Sequence, residues 1–252
     1  MDRPRLLILG GTSEASELAR LIAGDARFDP RLSLAGRTKA PATPPIAFRI
    51  GGFGGAEGLA EYMRAEAIDL LVDATHPFAE RMKHNAVAAT AQANVPLLAI
   101  RRPEWRPQPG DRWTVVPDME AAASALGDNT LRVFVTIGQK ELAPFRAAPQ
   151  HRYIVRSVDP PSPDSLPPDT QVITARGPFD EAAERALLEH RKIDVVVTKN
   201  SGGVATYAKL AAARALGLPV IMVARPAHPQ AEAVETAGEA FAWLEAWLAR
   251  RG

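Results

Sequence analysis

Short runs of leucine and β-branched residues alternate along the chain with longer stretches in which apolar positions recur every three or four residues. The first pattern predicts strands over residues 6–9, 32–35, 47–50, 70–73 and 97–100, then over 114–116, 133–136, 153–155, 171–174, 195–198 and 220–223. The second predicts helices over 13–23, 57–67 and 78–93, then over 119–126, 142–146, 180–189, 204–216 and 239–250. Strands and helices in alternation, joined by short connections, predict parallel sheets flanked by helices on both faces. Two Pro-rich stretches, 40–45 and 159–168, read as loops, because proline lacks the amide proton that a central strand needs.

The chain also repeats itself. Residues 69–103 read DLLVDATHPFAERMKHNAVAATAQANVPLLAIRRP, and residues 194–226 read DVVVTKNSGGVATYAKLAAARALGLPVIMVARP. Each is an Asp, an apolar run, a polar turn, an alanine-rich helical stretch, a proline-led apolar run and an Arg-Pro. The openings match too: RLLILGG over 5–11 and RVFVTIG over 132–138. Two such βαβ halves predict an α/β fold of two Rossmann-like domains with a ligand cleft between them. A linear split gives residues 1–108 and 109–252. The last helix fits either domain, and repeated halves are able to exchange a strand.

Composition narrows the function classes. A chain of 252 residues that is 46% hydrophobic has enough apolar side chains for two cores. Its net charge of +1 marks neither a nucleic-acid nor a membrane-surface binder. The absence of cysteine excludes disulfides and thiolate chemistry. The five histidines lack paired-ligand spacing, so no metal site is expected. No apolar stretch reaches the ~18 residues of a membrane span, and no leader precedes the first strand; a soluble cytoplasmic protein is expected.

The candidate chemistry lies in the turns that follow the strands. Gly10-Gly11-Thr12-Ser13-Glu14 leads from the first strand into a helix, whose first turn presents unpaired N–H groups suited to phosphate. Ala15 stands where a dinucleotide fingerprint would carry its third glycine, and a plain helix cap is the alternative. After the second strand comes Gly36-Arg37-Thr38 where an NAD enzyme carries an acid; a guanidinium there favours the 2′-phosphate of NADP. The Gly-rich loop over 51–55 offers Gly52 and a lone apolar tip, Phe53, as a lid or wall for a flat ligand. Thr75 and His76 end the fourth strand. In the second half, Gln139 and Lys140 follow one strand, and Lys199, Asn200, Ser201, Gly202 and Gly203 follow another, giving an anion-friendly edge that Arg102 extends. Tyr207 and Lys209 are too close for the Tyr-x-x-x-Lys pair of alcohol dehydrogenases. Trp243 and Trp247 read as packing on the last helix.

Taken together, ILGGTSEASELA, GGFGG, VDATHPFAERMKHNA, VFVTIGQKEL and VTKNSGGVATYAKLAAA resemble the precorrin-6A reductase family of cobalamin biosynthesis, over essentially the whole chain. The resemblance implies an oxidoreductase that uses NADPH to reduce one double bond of a tetrapyrrole-derived macrocycle, precorrin-6A, to precorrin-6B. It implies cofactor contacts at Gly10, Gly11, Thr12, Ser13, Glu14, Gly36, Arg37, Thr38, Thr75, His76, Lys199, Asn200, Ser201 and Gly202. Substrate contacts fall at Gly52, Phe53, Arg102, Gln139, Lys140 and Gly203. His76, Lys140 and Lys199 are the candidate proton donors, although a conjugated ring able to spread charge needs no dedicated acid. A hand-over of product to the next enzyme of the pathway is compatible with this assignment. Three alternatives stand beside it: an NADH-using cobalt-precorrin-6A reductase, a non-catalytic NADP-binding protein, and a transferase with a nucleotide-activated donor.

Overall fold

The computed structural model describes residues 3–36 and 43–251. In chain order the elements are β1 (Arg5–Leu9), α1 (Ser13–Ile22), β2 (Asp29–Leu34), β3 (Ala47–Ile50), α2 (Ala56–Ala65), β4 (Leu70–Asp73), α3 (Glu80–Ala93) and β5 (Leu97–Ile100). There follow β6 (Arg112–Val116), α4 (Met119–Ser124), β7 (Arg132–Thr136), β8 (Arg152–Ser157), β9 (Thr170–Thr174), α5 (Glu181–His190) and β10 (Val195–Lys199). The chain ends with α6 (Ala208–Ala215), β11 (Pro219–Val223), β12 (Glu232–Val234) and α7 (Ala237–Ala249). Among the described residues the strands form two six-stranded sheets, ordered β12-β5-β4-β1-β2-β3 and β6-β11-β10-β7-β8-β9. Every neighbouring pair is parallel. No described helix is long and apolar enough to cross a membrane.

Parallel strands covered on both faces read as continuous apolar runs, and β1 shows why. Leu6 and Ile8 point to one side, into a core shared with Leu18 and Ile22 of α1 and Ala240 and Leu244 of α7. Leu7 and Leu9 point to the other side, against Leu59 and Met63 of α2 and Ala86 and Ala89 of α3. The period-2 alternation of a strand thus serves two cores at once. In the second unit Phe134, Ile154, Val196 and Met222 meet Leu188 and Leu210 in the same way. Trp243 and Trp247 stack on each other, with centroids 6.4 Å apart, and pack against the first core.

The repeat has a structural counterpart at the foot of each central strand pair. Asp69 accepts the Arg5 N–H at 2.9 Å and donates its own N–H to the Arg5 carbonyl at 2.9 Å. Asp194 does the same with Arg132, at 2.7 and 2.9 Å. One aspartate in each half therefore locks the register between β1 and β4, and between β7 and β10.

The chain divides into two compact units, Met1–Pro103 with Pro226–Gly252, and Glu104–Arg225. This corrects the linear split after residue 108: the chain returns to the first unit. There β12 pairs with β5, and α7 packs on α1. The strand was invisible to periodicity because its three residues form a largely exposed edge.

His151, at the foot of β8, is 1% exposed. Its Nδ1 accepts the Leu131 N–H at 3.3 Å. Burial pulls its pKa below the ordinary 6.5, against a smaller opposing pull from the Gly127 and Asn129 backbone. The fold therefore prefers the neutral ring, while the unfolded chain takes up its proton first as pH falls. Stability is expected to decline below about pH 6.5, and His151→Gln is expected to flatten that decline. Urea midpoints measured across this range check it.

Candidate functional site

In the first sheet the connections run from β1 outward through β2 and β3, then back across to β4 and β5. The carboxyl ends of β1 and β4 flank that reversal, where open parallel sheets take ligands. Gly10 is cramped: a Cβ there would sit 2.7 Å from Leu32 Cδ1. Gly11 has φ +113°, and a Cβ there would meet no heavy atom within 4 Å, so its backbone is open to close approach. Thr12 caps α1, its Oγ1 accepting the Ala15 N–H at 3.2 Å. The same hydroxyl donates to the Ala74 carbonyl at 2.7 Å, tying the turn after β1 to the turn after β4.

Beyond β4 lies a buried polar network. Thr75 donates its hydroxyl to Asp73 Oδ1 at 2.6 Å and its N–H to the same oxygen at 3.0 Å. Lys83 of α3 reaches Asp73 Oδ2 at 3.3 Å and the Thr75 hydroxyl and carbonyl at 3.3 and 3.4 Å. The side chains of Lys83 and Asp73 are almost wholly buried. His76 follows, its Nδ1 accepting the Phe78 N–H at 3.2 Å. In the returning segment, His228 donates from Nε2 to the Pro77 carbonyl at 2.9 Å. Arg101 bonds the Pro229 carbonyl.

Glu14 and Arg102, which the sequence suggests for different ligands, meet each other. Arg102 Nη1 donates to both Glu14 oxygens, at 3.0 and 2.8 Å. Burial pushes the Glu14 carboxyl up, but the charge and hydrogen bonds of Arg102, its own amide and Ser13 together hold it below its ordinary value. Thr12, Glu14, Ala74, Thr75, Pro77, Ile100 and Arg102 line one small cleft at this edge. Four first-unit candidates thus share one cleft, Thr12, Glu14, Thr75 and Arg102, with Gly10, Gly11, Ser13 and His76 in the turns beside it.

The turns after β2 and β3 extend the edge. Gly36 has φ +69°; Arg37 and Thr38 lie outside the described residues. Phe53 is anchored rather than projecting. Its ring meets Tyr62 edge-on at 5.2 Å, and the Arg49 guanidinium lies 4.1 Å from its centroid. Arg49 also donates to the Gly51 and Gly52 carbonyls at 3.1 and 3.2 Å, stapling the glycine loop. The loop lies so close to α2 that a Cβ on Gly58 would be 1.8 Å from the Phe53 carbonyl oxygen.

In the second unit the equivalent turns follow β7 and β10. Lys199 pairs with Glu141 at 2.6 Å, and Glu141 also accepts the Gly138 N–H at 3.0 Å. Gln139 donates to the Asp159 carbonyl at 2.6 Å, and Lys140 lies in the short turn Gln139–Glu141. The Asn200 amide is committed to Trp105. Oδ1 accepts its N–H at 2.8 Å, and Nδ2 donates to its carbonyl at 3.0 Å. Trp105 Nε1 in turn donates to the Gly203 carbonyl at 3.0 Å. Ser201 donates its N–H to the Lys199 carbonyl at 2.7 Å, and Gly202 follows at φ +65°. Lys83, Trp105 and the pairing of Glu141 with Lys199 escape a reading of the sequence. Each acts through a partner far along the chain or across a turn, which leaves no local signal.

Comparison with known proteins gives several likenesses. Residues 5–245 match the family described as Precorrin-6x reductase CbiJ/CobK. A precorrin-6A reductase of Sinorhizobium sp is 56% identical over 249 residues, spanning 99% of this chain and 95% of that one. A cobalt-precorrin-6A reductase of Priestia megaterium is 31% identical over 182 residues, spanning 68% of this chain and 70% of that one. A solved structure of CobK precorrin-6A reductase is similar with a TM-score of 0.92 and 49% identity, covering 96% of each chain.

Proposed function

This chain belongs to the precorrin-6x reductase family, and from that membership we propose that it is an NADPH-dependent reductase of the precorrin-6A macrocycle, giving precorrin-6B. One observation carries the reading: 56% identity to a precorrin-6A reductase across 99% of the chain. The metal-free substrate is favoured over its cobalt-loaded counterpart, since the cobalt-precorrin-6A reductase shares 31% identity over 68% of the chain.

NADPH, when bound, supplies the hydride. The first unit fits such a group: the open backbone at Gly11 and the first turn of α1 suit a pyrophosphate. Arg102 neutralises Glu14 beside that turn, so phosphate meets an ion pair rather than a bare carboxylate. Thr12 holds the turns after β1 and β4 together, and Asp73 with Lys83 fixes Thr75. Gly36, Arg37 and Thr38 serve the 2′-phosphate. Because His76 Nδ1 accepts a hydrogen bond, the ring presents Nε2–H, which would donate a hydrogen bond to a polar group of the macrocycle rather than give up its proton. Lys199, oriented by Glu141, and Lys140 are the second unit's candidates for a proton or a substrate carboxylate.

Arg37→Ala is expected to erase a preference for NADPH over NADH of at least ~10-fold, or ~1.4 kcal/mol. Calorimetry with both cofactors checks it. Equal affinities in the unaltered chain overturn the NADPH assignment and favour the NADH-using, cobalt-loaded alternative. Turnover of metal-free against cobalt-loaded macrocycle then separates the two substrates.

A further inference from the structure

Val204 is 92% exposed, yet the backbone around it is tied on every side. The Gly203 carbonyl accepts Trp105 Nε1–H at 3.0 Å. The carbonyl of Val204 accepts the Tyr207 N–H at 3.1 Å, and that of Ala205 accepts the Phe179 N–H at 3.1 Å. Gly202 and Gly203, at φ +65° and +82°, turn the chain just ahead of it. The apolar pattern predicts a helix from residue 204, but α6 begins at Ala208, leaving Val204 in a fixed turn.

Single exposed apolar side chains are common on protein surfaces. This one differs in its placement. It stands beyond the carboxyl end of β10, a central strand of the second sheet, where parallel α/β sheets present ligand-contacting loops. It gains no burial, so the fold derives nothing from its isopropyl group, and a serine or threonine would serve the turn as well. We propose that Val204 is a substrate contact whose side chain packs on the flat apolar surface of the macrocycle and helps set its affinity. The proposal rests on the macrocycle being the substrate.

The test compares Val204→Ser and Val204→Ile with the unaltered chain. Val204→Ser is expected to keep the same urea midpoint and NADPH affinity. Its KM for precorrin-6A should rise about 5-fold or more, with kcat changed less than about 2-fold. Val204→Ile should retain the original KM. An unchanged KM in Val204→Ser, with normal turnover in both chains, overturns the contact alone. A raised KM accompanied by a lowered urea midpoint also overturns it, assigning Val204 a structural role. No turnover of the macrocycle by the unaltered chain removes the functional reading and the contact with it.

Discussion

Glu184→Ala is expected to destabilise the second unit by about 3–5 kcal/mol. Glu184 on α5 and Arg156 on β8 are 3% and 7% exposed. They form two hydrogen bonds, Nη2 to Oε2 at 2.9 Å and Nη1 to Oε1. The guanidinium also lies near two aromatic rings, 3.7 Å from the Phe179 centroid and 5.0 Å from that of Phe134. Removing the carboxylate leaves a buried cation that cannot shed its proton. The rings return only a fraction of the lost attraction. Arg156→Met with Glu184→Leu removes both charges together and is expected to be nearly neutral or stabilising. Urea unfolding of the single and double variants checks the contrast. A single variant within about 0.5 kcal/mol of the unaltered chain would contradict it.

Asp73→Ala is expected to cost a similar ~3–5 kcal/mol and, unlike Glu184→Ala, to lower activity where the variant is still folded. Asp73 is the acceptor for both the hydroxyl and the N–H of Thr75 and the partner of Lys83. Without it Lys83 still reaches the Thr75 oxygens, but Thr75 loses both of its hydrogen bonds to the end of β4. The turn carrying Thr75 and His76 then loses its fixed geometry, and kcat/KM should fall with it. Denaturation and steady-state kinetics on the same sample separate the two effects. Full activity in the folded fraction would show that the network serves stability alone.

The parts of this fold that were legible in the sequence are those with a local signature. The apolar runs of β1, β4, β7 and β10 announced parallel strands flanked by helices, and the shared Asp and Arg announced a repeat, although the register lock they form shows only in the structure. The turn at Gly10 to Thr12 was readable because a cap and a left-handed glycine depend on neighbouring residues. What was hidden depends on distance along the chain. The return of residues 226–252 to the first unit rests on a three-residue edge strand, too short for a period to show. Arg102 and Glu14 were each legible as charged candidates, but their pairing joins positions 88 residues apart. Phe53 looked like a projecting tip because neither Arg49 nor Tyr62 marks itself as its partner. The start of α6 was misplaced because Val204 continues the apolar pattern while the hydrogen bonds of the turn do not.

Transfer of label from NADPH deuterated at the nicotinamide carbon tests the central claim most directly. Purified protein is incubated with precorrin-6A and the two stereospecifically labelled cofactors, and the macrocycle is read by mass spectrometry. Direct hydride transfer predicts that one labelled form delivers its deuterium, as deuteride, to the reduced macrocycle, with one NADPH consumed per macrocycle. A folded, NADPH-binding protein that leaves precorrin-6A unreduced, or reduces it without acquiring label from either form, would contradict the account.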